Sequence, residues 1–187
     1  KLDTRILLAN MTNTGTKTHI TTMIIDEKGN IVYNGKVAIK INGKTQGVVN
    51  INNGIVQLTI DSSKLSPKNY TITAVYGGNN EYEKSNSTST LTINKYDVKV
   101  DVKPVTTNAG NTTTLKATLK DIQNNSLNTG KVVFKLNNKT IGIVNIINGI
   151  ASMEYKVINS PKDYEITAKY AESSAYTSSE TIGVLHV

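Results

Sequence analysis

The 187-residue chain has no cysteine, no tryptophan and one phenylalanine, and its 21 basic and 14 acidic residues leave a formal net charge of +7. Without thiols there are no disulfides, thiolate nucleophiles or cysteine-ligated metals, so any core must hold by packing alone. All the basic residues except Arg5 are lysines scattered along the chain; such solvated point charges predict an outer sheet face, whereas nucleic-acid readers rely on the guanidinium fork.

In chain order, β-branched and aromatic residues alternate with polar ones over 4–9, 17–26, 35–42, 45–51, 54–61, 69–77 and 87–94, which predicts seven short strands. Turn signals stand between them at Lys28-Gly29-Asn30, Asn42-Gly43, Asn53-Gly54, Ser66-Pro67 and Gly77-Gly78. The pattern then starts again, with strands predicted over 97–103, 112–121, 130–137, 140–146, 149–157, 163–171 and 181–187.

The second set is a copy of the first. Gly35-Lys36-Val37-Ala38-Ile39-Lys40-Ile41-Asn42 returns as Gly130-Lys131-Val132-Val133-Phe134-Lys135-Leu136-Asn137, and Tyr70-Thr71-Ile72-Thr73-Ala74-Val75-Tyr76 as Tyr164-Glu165-Ile166-Thr167-Ala168-Lys169-Tyr170. A period near 95 residues is that of a whole small domain, so two domains are predicted, 1–94 and 95–187.

Each copy tests which way the other's side chains point. Glu165 and Lys169 replace Thr71 and Val75, which predicts that Tyr70, Ile72, Ala74 and Tyr76 face inward, as do Tyr164, Ile166, Ala168 and Tyr170. Lys116 and Lys120 likewise mark Ile20, Thr22 and Ile24 as inward, and Val56, Leu58 and Ile60 are paired with Ala151, Met153 and Tyr155 as core positions. Seven strands with turns every 8 to 12 residues are the pattern of an all-β Greek-key sandwich of the immunoglobulin-like kind. In both copies a Tyr follows Pro-Lys and enters the sixth strand two residues before Ile72 or Ile166. That spacing resembles the tyrosine corner, with isoleucine where a disulfide-forming cysteine would stand.

The motifs G-K-V-x-[FI]-K-[IL]-N, V-x-N-G-I and P-K-x-Y-x-I-T-A-x-Y, followed by Tyr82 or Tyr176 and a closing strand at Leu91-Thr92-Ile93 or Leu185-His186-Val187, make the chain resemble bacterial and archaeal Ig-like repeats. The resemblance covers both copies. It implies tandem modules of adhesin-like surface proteins, notably those of methanogenic archaea, and an extracellular, cell-surface or cell-wall location. Copy two departs from copy one where Gly77-Gly78-Asn79 becomes Ala171-Glu172-Ser173.

Candidate sites are few. His19 and His186 have no carboxylate or histidine at metal or triad spacing, no phosphate loop or hydrolase elbow is present, and no enzyme and no cofactor are predicted. Asp26 with Glu27, Glu81 with Glu83, and Asp97 with Asp101 are too sparse for a calcium loop and read as solvated carboxylates. An intramolecular amide bond needs a buried lysine, and alternation puts the lysines outside. Sequons begin at Asn10, Asn69, Asn86, Asn111, Asn124 and Asn138, compatible with glycosylation of an exported protein, although a chain rich in Asn and Thr makes sequons by chance. Tyr82 and Tyr176 stand in the loop before the last strand, Tyr33 just before the third strand and Tyr96 at the junction. Such rings either stack on sugars or plug the ends of the sandwiches, and the repetition of Tyr82 at Tyr176 favours plugging. Val133, Met23 and Ile25 are predicted to be exposed apolar residues.

No run of about 18 apolar residues is present, which predicts no membrane insertion, and the start lacks a signal-peptide pattern. Opening at Lys1 and closing on an apolar strand at Val187, the chain reads as part of something longer. The junction near Ile93-Asn94-Lys95-Tyr96 has no Gly or Pro, which predicts a stiff rod. The expected function is a load-bearing spacer in a surface protein that adheres to glycans or proteins of other cells, its immediate partners being neighbouring Ig-like repeats. The alternatives are a glycan- or wall-binding module using loop Tyr and Lys residues, and an accessory domain of a secreted enzyme.

Overall fold

The computed structural model describes residues 1–187 and contains strands and turns but no helix. The chain divides into two compact units, Lys1–Asn94 and Lys95–Val187.

Unit 1 carries β1 (Thr4–Ile6), β2 (Met11–Thr12), β3 (Lys17–Thr22), β4 (Ile24–Asp26), β5 (Lys36–Ile41), β6 (Lys44–Asn50), β7 (Val56–Asp61), β8 (Asn69–Tyr76) and β9 (Ser85–Thr92). One layer is a five-stranded sheet in the order β2-β9-β8-β5-β6, and the other consists of the pairs β1-β4 and β3-β7. Unit 2 carries β10 (Lys99–Val102), β11 (Val105–Thr106), β12 (Thr112–Lys120), β13 (Lys131–Leu136), β14 (Lys139–Asn145), β15 (Ile150–Lys156), β16 (Asp163–Tyr170) and β17 (Ser179–His186). Its sheets are β11-β17-β16-β13-β14 and β10-β12-β15. Both units are immunoglobulin-like sandwiches in which the fourth strand, β6 or β14, joins the larger sheet.

Two features differ from the sequence expectation. The first strand of each copy is two strands: β1 pairs antiparallel with β4, whereas β2 crosses to the other layer and pairs parallel with β9, and β10 and β11 do the same with β12 and β17. The second strand of unit 1 is also interrupted, at Met23. There Leu7 donates its amide to the Met23 carbonyl and Thr22 Oγ1 donates to the Leu7 carbonyl at 2.7 Å.

The crossing of the first strand leaves backbone groups that each copy satisfies differently. In unit 1, Ser89 Oγ donates to the Leu8 carbonyl at 2.6 Å and Asn10 Oδ1 accepts from the Thr90 amide at 2.9 Å. In unit 2 the crossing lies at Lys103-Pro104, where proline has no amide to satisfy. Gly183, which stands where unit 1 has Ser89, is packed so closely that a Cβ on it would come within 2.8 Å of Val102 Cγ1.

The cores follow the alternation. Ile20, Ile24, Val37, Ile39, Ile72, Ala74 and Tyr76 are fully buried in unit 1, and Leu115, Leu119, Val132, Phe134, Ile166, Ala168 and Tyr170 in unit 2. Burial fades at Leu58, Ile60, Met153 and Tyr155, which are only half-buried, because β7 and β15 are sheet edges with no further strand beside them. Val133 and Ile25 are half-buried and Met23 is exposed.

The hairpin turns use residues in left-handed conformations. Asn42-Gly43 (φ 46° and 81°), Asn53-Gly54 (50° and 78°) and Asn148-Gly149 (51° and 76°) are tight turns of the mirror-image type that matches strand twist.

Candidate functional site

The tyrosines of β8 and β16 tie a loop to the core. Tyr70 Oη donates to the Ser66 carbonyl at 2.9 Å, and Tyr164 Oη donates to the Ser160 carbonyl at 2.9 Å. Both rings are buried and carry a lysine ammonium over one face, Lys68 at 5.0 Å and Lys162 at 5.2 Å. Two residues on, Ile72 and Ile166 are fully buried. The hydroxyl thus anchors the loop between the sheets where no disulfide exists.

The first strand is clamped to the last at two levels in each unit. At one level Leu2 bridges in parallel to Tyr82, its amide donating to the Glu81 carbonyl and its carbonyl accepting from the Glu83 amide; Tyr96 bridges to Tyr176 in the same way, between Ala175 and Thr177. At the other level Met11 and Thr12 run parallel to Leu91 and Thr92, and Val105 and Thr106 to Leu185 and His186. The second clamp is extended by Thr107 N to His186 O at 2.9 Å and, in unit 1, by Asn94 N to Asn13 Oδ1 at 2.9 Å.

These clamps account for Tyr82, Tyr176 and Tyr96. Tyr82 and Tyr176 are half-buried against their cores, and the Tyr176 ring meets Tyr170 edge-on at 6.4 Å. Burial pushes the Tyr176 phenol up, with Asp121, Tyr170 and Tyr96 adding to the effect. Tyr96 is half-buried, and its backbone is held by the bridge. The rings of Tyr82 and Tyr176 thus pack against the margins of their cores. Lys95 forms an ion pair with Glu172 at 2.8 Å, which holds that carboxyl below its usual range. The exposed aromatic is Tyr33, 57 % accessible.

Two polar motifs were not legible from spacing. Asp26 stands in a tight turn: its Oδ1 accepts from the amides of Lys28 (2.9 Å) and Asn30 (2.8 Å), and its Oδ2 from Asn30 Nδ2 (3.2 Å). Burial works against the charge, but the Asn30 and Lys28 donors outweigh it and hold the carboxyl below its usual range. Asp121 repeats the arrangement with Gln123 and Asn125. The recurring Asp four residues before Asn in both copies was the available signal. The second motif is the pair His186 Nδ1 and Asp163 Oδ1 at 2.6 Å, opposite one another on β17 and β16. The expectation of a histidine with no carboxylate partner is therefore corrected, since strand pairing joins residues 23 apart. His19 contacts Thr59 Oγ1 at 3.0 Å.

No three residues among His, Cys, Asp and Glu gather as a metal site. No helix is long and apolar enough to cross a membrane. The sequon residues Asn10, Asn69, Asn86, Asn111, Asn124 and Asn138 are all exposed.

Comparison with solved structures gives a run of titin domains at TM-score 0.60 and 12 % identity, covering 100 % of this chain and 66 % of that one. This likeness concerns the fold. Other matches are the fibronectin(III)-like modules of Clostridium thermocellum CbhA (TM-score 0.41, 13 % identity, 98 % and 93 % coverage) and the Yersinia pseudotuberculosis adhesin InvE (0.39, 15 %, 100 % and 58 %). A comparison with curated proteins finds no match. Over residues 7–94, most of unit 1, the chain matches the family described as Bacterial Ig-like domain (group 3).

Proposed function

We propose that the chain is a non-enzymatic, load-bearing repeat segment of a cell-surface protein of the adhesin-like kind. Its modules carry tension between neighbouring repeats and space a binding region away from the cell envelope. The match to bacterial Ig-like domains over unit 1 and the tandem duplication support this reading. The observation that carries it is the parallel clamping of first to last strand in both units. Adjacent parallel strands pulled at opposite ends must slide past one another, so the bonds crossing between them are loaded together rather than one after another. A sandwich held this way resists tension more than its equilibrium stability alone would suggest.

The test is single-molecule stretching between the termini. The expected result is two resolved unfolding peaks, with that of unit 2 lowered by Thr107→Pro, which removes the amide bonded to His186, while the chemical unfolding midpoint changes little. Unfolding without a resolved peak, or a Thr107→Pro variant with wild-type force, overturns the reading.

A further inference from the structure

The two copies act as controls for one another: where the fold demands a residue, both tend to have it, and where only one copy has a feature on its surface, folding does not explain it. Unit 1 has such a feature at the turn between β6 and β7. An open cleft of about 680 Å³ there is lined by Asn50, Asn52, Asn53, Ile55 and Gln57 together with Ile51. Tyr33 stands beside the cleft rather than in its lining: its Cε1 lies 3.3 Å from the place where a Cβ on Gly54, between the lining residues Asn53 and Ile55, would stand, next to Ile31 Cγ2 at 2.6 Å. The ring is 57 % accessible and Ile55 43 %. The amides of Asn50, Asn52, Asn53 and Gln57 are exposed.

The second copy has the same scaffold, with Asn145, Asn148 and Ile150 in the places of Asn50, Asn53 and Ile55, but lacks the other groups. Ile51 and Ile146 are both buried, and Gly54 and Gly149 both take φ near +77° (78° and 76°). Tyr33 is replaced by Asn128, Asn52 by Ile147 and Gln57 by Ser152. Gly149 faces the small Ser126 where Gly54 faces Ile31 and, beyond it, the Tyr33 ring. The turn therefore folds without the aromatic and without two of the amides.

We propose that this face of unit 1 is a binding site for uncharged carbohydrate. A sugar ring offers a C–H face to an aromatic ring and vicinal hydroxyls to carboxamides, which both donate and accept. Although the chain carries 21 basic and 14 acidic side chains, none lines the cleft, so the site suits neutral hexose units rather than an anionic polymer. The cleft is an open surface depression with a largely amide lining, which can take a segment of a longer glycan along the surface rather than enclose a small molecule. Tyr33, and not the packed Tyr82 or Tyr176, is the stacking platform. This inference does not depend on the mechanical reading, because a segment can bear load without binding sugar.

The test is titration of the whole chain with soluble β-glucan, α-mannan and galactan oligosaccharides, and with polygalacturonate as the charged comparison, followed by isothermal calorimetry and by amide chemical shifts. Saturable binding of at least one neutral oligosaccharide is expected, with shifts centred on Asn50–Gln57. Tyr33→Ala should weaken it at least tenfold, Tyr33→Phe should keep most of it, and Asn128→Ala should leave it unchanged. Because Tyr33 is exposed, the alanine variant should keep the wild-type melting temperature, which separates lost binding from lost fold. Failure of every neutral oligosaccharide to bind, preference for polygalacturonate, or undiminished binding by Tyr33→Ala overturns the proposal.

Discussion

The ring of Tyr76 fills the space that a side chain on Gly35 would need: a Cβ there would stand 2.5 Å from Tyr76 Cε2. Tyr170 and Gly130 repeat the relationship at 2.6 Å. Gly35 also has φ 127°, a conformation that only glycine adopts readily. The Tyr76 hydroxyl donates to the Asn34 carbonyl at 3.0 Å, so the ring has little freedom to retreat. Gly35→Ala should therefore destabilise unit 1 by about 2 kcal/mol or more, through overpacking and backbone strain together. Urea unfolding followed by tyrosine fluorescence measures this, and a midpoint equal to wild type would show that the ring can yield.

The corner bond is testable without disturbing shape. Tyr164→Phe removes only the hydroxyl that donates to Ser160 and should cost about 1 kcal/mol. Tyr70→Phe should do the same in unit 1 through Ser66. Unchanged unfolding midpoints in both variants would show that the loop is held by ring packing alone.

The Asp26 turn predicts an acid limit. Its carboxyl titrates lower in the folded chain than in the unfolded one, so its contribution is present above the unfolded value near pH 4 and is lost as pH falls through the lower folded value. Asp61, held down by the Ser63 hydroxyl and amide, acts in the same direction. At the alkaline end, burial raises the Tyr76 phenol, so stability holds below about pH 10 and is lost as pH rises through its folded value. Melting temperature measured against pH should form a plateau with both shoulders. Asp26→Asn should flatten the acid shoulder, and an unaltered shoulder in that variant would assign it to other carboxylates.

The pair His186 and Asp163 joins the last strand of unit 2 to its neighbour at 2.6 Å and is exposed. Asp163→Asn should change the melting temperature of unit 2 only slightly at neutral pH, since exposed pairs contribute little, about 0–1 kcal/mol. A loss of several degrees would show that the pair holds β17 in place.

The alternation of strands was legible because charges in one copy, such as Glu165 and Lys169, mark the outward side of the other. The aromatic at Tyr70 and Tyr164 was legible for a similar reason, since it recurs at a fixed distance from a buried isoleucine. The division of the first strand was not legible: Leu8 is apolar whichever sheet it joins, and its partner Ser89 lies 81 residues away. Nor could local spacing show that Asp163 meets His186, because that contact follows from register between β16 and β17. Nor was it legible that the backbones of Tyr82 and Tyr176 bridge Leu2 and Tyr96, because those partners stand 80 residues earlier in the chain.

The unlike crossings of the two first strands bear on how the chain finds its fold. Similar modules side by side are prone to exchange strands while folding. Here β10 docked onto the wrong sheet would set Val102 against Ser89, whose Cβ occupies the space that Gly183 leaves vacant in unit 2. In the reverse exchange, the Leu8 carbonyl would lose the hydroxyl it accepts from Ser89, with glycine in its place. Each half thereby carries, at its first strand, a contact that the sheet of the other half does not offer.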